Sequence, residues 1–185
     1  MRIEFIAENV LKLILTKERE WVLFDKLAVD VEGRGEGWLA KRLGVLMDDE
    51  EWDDLVVPGL TAQFEEDYQR VHEMVRSAFL EWKAQQLEEK NSKLKRKVPI
   101  DLSMEEEEEE EFGAIYITKE DCNAWYSVFN QARLALEGKW KLASLKNEEE
   151  LGALENVEAA RLAAFLRDGF YTKIQAVLLD TLYEL

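Results

Sequence analysis

Between Leu60 and Trp82 apolar residues return every three or four positions, at Leu60, Phe64, Tyr68, Val71, Val75, Ala78, Phe79 and Trp82. That spacing puts them on one face of a helix and excludes a strand, whose side chains alternate with period two. Glu65, Glu66 and Asp67 crowd the early turns, whereas Lys83 and Lys90 come late. This charge order suits the helix dipole. The pattern predicts a helix over about 59–90, after Pro58-Gly59. At 1.5 Å per residue, about 30 residues reach ~45 Å, long enough to be the spine of a domain. The chain has 185 residues, which suits a single domain over 1–185.

Two more long helices are expected. Thr118 has the character of an N-cap, with Asp121 at the capping-box position. Cys122, Trp125, Phe129, Ala132, Leu136 and Trp140 then form a stripe over about 119–143. Leu162, Leu166, Gly169, Ile174, Val177, Leu178 and Leu182 mark a stripe over about 157–184. Gly169 falls on that stripe, so close approach of a neighbouring element is expected there. Shorter helices are expected from about Lys17 to Val31, capped by Thr16, and from about Trp38 to Leu46. Trp21, Phe24, Leu27, Ala28 and Val31 supply the buried face of the first. "DDEEWDDLVVP" reads as an acidic connector.

Strand patterns occupy the start. "RIEFIA" alternates, "VLKLILT" follows, and Glu8-Asn9 is placed for a tight turn, which together predict a β-hairpin. "AIYIT", 114–118, is a third short strand able to extend it. The fold class is α+β, mainly α: a bundle of about three long helices with a small N-terminal β-hairpin and one further short strand. Residues 91–113 interrupt it as a long charged surface loop or disordered insertion, basic in "KLKRK" and acidic in the run Glu105–Glu111.

Charge narrows the partners. The formal net charge is −16, and −9 remains without the seven glutamates of the run. Such a field repels phosphate backbones and anionic membranes and favours cationic partners. No stretch reaches the roughly 18 apolar residues of a membrane span. Met1-Arg2-Ile3-Glu4-Phe5 places an acid early, so no export signal is expected. With one cysteine, Cys122, an internal disulfide is excluded, and a reducing, cytosolic, bacterial-type setting is expected.

Catalytic motifs are absent. His72 is the only histidine, and "QRVHEMV" has no nucleophile signature. A di-iron bundle needs paired Glu-x-x-His elements, and position 69 is Gln. "GRGEG" follows a helix rather than a strand, the wrong context for a phosphate loop. Seven equal glutamates lack the turn that shapes a calcium site. Cys122 sits where a helix dipole activates a thiol, yet it also lies on an apolar stripe, where cysteine acts as a small hydrophobe. No enzyme activity, cofactor or metal is therefore expected. An enzyme with an unrecognised carboxylate-based site is the remote alternative. Asn130 and Arg133 lie three apart on a helix flank and serve either as an internal polar clamp or as a recognition surface.

"NAWYSVFNQARLALEGKW", 123–140, resembles an uncharacterised, mostly actinobacterial family of unknown function with a pattern close to W-L-x-A-L-N-D-L-R-L-x-L-G. Trp125, Asn130, Arg133, Leu134 and Leu136 match, whereas Tyr126, Gln131 and Glu137 depart. "EREWVLFDKL" is similar to the family's first helix. "FYTKIQAVLLDTL" is similar to its closing W-L-T-x-L-Q helix through Phe170, Tyr171, Thr172, Ile174 and Gln175. No activity comes with the resemblance. Its genes often neighbour the adaptor of the Clp protease, which implies a non-catalytic interaction or regulatory protein, an accessory factor in regulated proteolysis with a Clp-related partner. Trp125, Asn130 and Arg133 are the candidate partner-binding residues on the folded surface, and Glu105, Glu108 and Glu111 those of the acidic run. The alternative function is an acidic nucleic-acid mimic that occupies a basic protein.

Overall fold

The computed structural model describes residues 1–7, 10–32, 35, 37–47, 51–95, 111–146 and 157–183. The Glu8-Asn9 turn lies outside them. Strand β1 (Arg2–Ala7) pairs antiparallel with β2 (Val10–Ile14), and β2 pairs antiparallel with β3 (Ala114–Thr118), so β2 is central. Register places Ile3, Leu13 and Ile115 side by side, and Phe5, Leu11 and Ile117 beside them. Leu11, Leu13, Ile115 and Ile117 are buried in the main core. The alternate row Glu4, Lys12 and Tyr116 falls on the opposite face.

The described residues form six α-helices, more than the expected three or so: α1 (Glu20–Glu32), α2 (Trp38–Met47), α3 (Trp52–Leu55), α4 (Val57–Lys95), α5 (Lys119–Trp140) and α6 (Ala159–Tyr183). The three long helices are present as α4, α5 and α6. The acidic connector is partly helical, because Trp52 of α3 packs beside Ala40 and Val57 and its indole N–H donates to the Ala40 carbonyl at 2.7 Å. A short 3-10 turn, Leu142–Lys146, follows α5.

Boundaries moved where side chains changed the local hydrogen bonding. Helix α1 begins at Glu20 rather than Lys17, because the Glu20 carboxylate accepts the amides of Thr16 (2.8 Å) and Lys17 (3.3 Å). Helix α4 starts two residues early, with Pro58 in its first turn, where a missing N–H costs nothing. It also runs five residues past Lys90, reaching about 58 Å. Past Trp82 most of its side chains are exposed. The expected loop over 91–113 therefore begins as helix, and at its far end Phe112 and Gly113 bond to Leu15 in an extended segment. Residues 96–110 lie outside the described residues. At α5, the Thr118 amide and hydroxyl both donate to Asp121, at 3.2 and 2.6 Å, so the expected capping box is present.

Helix α6 presents a different face from the expected one. Ala164, Asp168, Tyr171, Ile174, Gln175 and Leu178 are buried, while Leu166 is 63% exposed and Gly169 is exposed. A Cβ at Gly169 would meet nothing within 4 Å, so no neighbour approaches closely there. Gly169→Ala is accordingly expected to stabilise the protein by about 0.5–1 kcal/mol through helix propensity alone. Urea unfolding checks this; a loss of stability would mean that Gly169 is packed after all.

Candidate functional site

The residues expected to bind a partner take separate places. Trp125 is wholly buried, packs against Phe24 and Phe129, and donates its indole N–H to the Met74 sulfur at 3.3 Å. It presents no surface. Arg133 reaches from α5 to α6, donating Nε to Asp168 at 3.1 Å and Nη1 to the Gln175 carbonyl oxygen at 2.5 Å. The Gln175 amide in turn donates to the Tyr126 carbonyl at 3.1 Å. This geometry is the internal clamp of the two alternatives posed for Arg133. Asn130 is half-buried one turn away. Glu111 is exposed at the sheet and pairs with Arg2 (3.0 Å) and Lys12 (3.5 Å). Glu105 and Glu108 lie outside the described residues. These six residues thus form no common site.

Cys122 is buried, and its thiol faces the Thr118 carbonyl at 3.4 Å. Burial and the Asp121 carboxylate push its pKa up, away from a reactive thiolate. At Asp121 burial alone would raise the pKa, but the two Thr118 hydrogen bonds and the Arg70 guanidinium outweigh it and hold the carboxyl below its usual range. His72 is exposed and stacks on Tyr68, ring centroids 5.7 Å apart. Among the described residues, no three His, Cys, Asp or Glu side chains gather to hold a metal. None of the described helices is long and apolar enough to cross a membrane.

A second clamp involves residues that no motif marks. Asp30 of α1 accepts two hydrogen bonds from Arg167 of α6, at 2.6 and 3.0 Å, and one from the Tyr171 hydroxyl at 2.9 Å. Asp30 is 6% exposed and Tyr171 fully buried. Together the two clamps fasten α6 to α1 and α5.

With α1 held this way, a trough stays open between α1 and α4. The two helices run in opposite senses: Trp21 meets Phe79 and Trp82 at one end, and Glu32 lies near Tyr68 at the other. Near the Trp21 end is a groove of about 380 Å³, floored by Trp21, Phe24, Val75 and Phe79. Ala28 lies in its wall, and Asp25 stands on the α1 side opposite His72 and Arg76 on α4. Near the Glu32 end is a pocket of about 350 Å³. Trp38, Phe64 and Tyr68 give it aromatic walls, and Glu32 and Glu65 give it carboxylates. Gln131 of α5 also lines it. Burial, reinforced by Glu32 and Glu65, raises the Tyr68 pKa, so its hydroxyl stays protonated at neutral pH.

Sequence reasoning missed this trough because its floor residues read as ordinary core positions on two separate stripes. The spacing of Trp21, Phe24 and Ala28 shows an apolar face; it does not show that no third helix covers it. The fold and trough define a mainly helical α+β protein with a long open channel between two antiparallel helices. No family model, no curated protein and no solved structure matches the chain.

Proposed function

We propose that this is a non-catalytic protein-interaction or regulatory protein that docks an amphipathic helix of its partner in the groove between α1 and α4. The observation that carries this reading is the groove itself: four large apolar side chains floor an open trough whose length suits a helix. Its rims carry opposite charge, Asp25 on one side and Arg76 with His72 on the other. The occupant that complements them is a helix whose apolar stripe is bordered by a basic residue on one flank and an acidic residue on the other. The resemblance described above supports a cytosolic accessory factor in regulated proteolysis, with a Clp-related partner as the first to test.

The test captures partners from native lysate at low and moderate salt and maps contacts by cross-linking. Three baits are compared: the intact chain, one lacking Glu105–Glu111, and Ala28→Glu, which places a charge in the groove. The expected result is one partner retained by the first two baits, weakened about tenfold or more by Ala28→Glu, and cross-linked to α1 and α4. Undiminished capture by Ala28→Glu would overturn the groove. Loss with the glutamate run or with moderate salt would replace it by the acidic-mimic reading.

A further inference from the structure

We infer that the pocket between the end of α1 and the start of α4 is a socket for one cationic side chain, a lysine or arginine of the same docked helix. The inference rests on the groove reading for its occupant but on separate residues for its chemistry.

The pocket is rich in hydrogen-bond acceptors. Glu32 and Glu65 bring two carboxylates, and no described residue lining it carries a positive charge. Three aromatic rings, of Trp38, Phe64 and Tyr68, provide the faces that attract a cation. The Thr61 hydroxyl, also in the lining, exposes less than 1 Å² and has no hydrogen-bond partner. A buried oxygen of this kind normally finds a donor, and an ammonium or guanidinium group is a donor only. Of the pocket's amides, the Gln131 side-chain N–H group is already directed to Ser127 at 3.3 Å. A cation therefore meets acceptors on several sides, whereas an anion would meet Glu32 and Glu65 and be repelled. A volume of about 350 Å³ admits a single long side chain with its water but not a folded element.

The pocket and groove share one trough, with Tyr68 of the pocket stacked on His72 of the groove. From Phe79 to Glu65 is 14 residues along α4, about 21 Å at 1.5 Å each. A partner helix lying along the trough would thus place its basic residue roughly three to four turns from its apolar anchor. This spacing is a specificity element: an apolar stripe alone fills the groove, and only a helix with the distant base fills both.

The test uses fragments, so it does not depend on knowing the partner. Nα-acetyl-lysine methylamide and its neutral norleucine counterpart are titrated into the isotope-labelled protein and followed by NMR. For the lysine fragment, saturable shifts are expected at Gly37, Trp38, Phe64 and Tyr68, with a millimolar Kd. Glu32→Gln with Glu65→Gln should weaken it about tenfold or more, and the norleucine fragment should leave these positions unmoved. Glu88→Gln, on the exposed end of α4, is the control for the chain's overall negative field. If Glu88→Gln weakens binding as much as the pocket variants, or if no saturable shift occurs, the socket is overturned. Butylammonium tests the free-amine source: binding at least tenfold tighter than the lysine fragment would overturn a side-chain socket in favour of a small-amine site. Ala28→Glu separates the two readings. Unchanged fragment binding there, beside lost or retained partner capture, reports on socket and groove independently.

Discussion

Replacing Asp30 with alanine is expected to cost about 3–5 kcal/mol of folding stability, the range for removing one partner of a buried ion pair. The reason is what remains behind. Arg167 keeps a largely buried guanidinium, and Tyr171 a fully buried hydroxyl, with their shared acceptor gone. For a chain of this size each kcal/mol shifts Tm by roughly 2–4 °C, so a fall of about 10 °C or more should appear in thermal melts by circular dichroism. A loss below about 1 kcal/mol would show that the cluster holds α1 and α6 together only weakly. Replacing all three residues with apolar ones, Asp30→Leu, Arg167→Met and Tyr171→Phe, should recover much of the loss, because no polar group is then stranded. The cluster also has a pH signature. Burial first, then the Asp30 carboxylate, raise the Tyr171 pKa well above its usual value. The unfolded chain ionises this tyrosine near pH 10 and the folded chain does not, so stability from this group is complete below about pH 10 and declines above it. Tyr171→Phe should make that alkaline decline shallower.

Gly113→Ala should be nearly as damaging, at about 3–5 kcal/mol, for two reasons that add. Gly113 has φ +112, a conformation that costs other residues about 1–3 kcal/mol. A Cβ there would also stand 2.7 Å from Trp21 Cζ2 and 3.1 Å from Trp82 Cβ. The Trp21 ring cannot easily yield, because its N–H donates to the Phe112 carbonyl at 2.7 Å and it stacks on Trp82. Overpacking of this kind costs about 1–3 kcal/mol. Urea unfolding followed by tryptophan fluorescence should show a lowered midpoint with an unchanged slope. Gly35→Ala is the companion variant: its φ is +93 but nothing lies within 4 Å of the added carbon, so it reports backbone strain alone. Equal losses at both positions would remove the packing half of the explanation.

What the sequence could reveal depended on whether a residue's partners were near it in the chain. The α5 stripe from Cys122 to Leu136 was legible because apolar side chains recur on one face and all are buried. The Thr118–Asp121 cap was legible for the same local reason. Helix α6 was harder. Asp168 and Gln175 occupy its buried face, and hydropathy counts both as surface residues. They are buried because Arg133, 35 and 42 positions away, supplies their hydrogen bonds. Asp30 hides in α1 in the same way, its partners lying 137 and 141 positions on. The far end of α4 was read as loop because helical periodicity fades where no core face is needed. As for the site, Glu32 and Glu65 carry no motif, and each is an ordinary glutamate until the α1–α4 trough sets them beside one pocket.

The central position of β2 has a consequence during synthesis. Its partner on one side, β1, precedes it, but its partner on the other is β3, and Ile14 aligns with Ala114 across 100 residues of chain. At about 5–20 residues per second, a ribosome needs roughly 5–20 s to make that intervening length. For that interval the newborn hairpin carries Leu11 and Leu13, fully buried in the finished protein, with one edge of β2 unpaired. Such an edge is open to other strands. Holdase chaperones that shield nascent apolar hairpins are therefore expected to matter more to the yield of this protein than its mainly helical content would suggest.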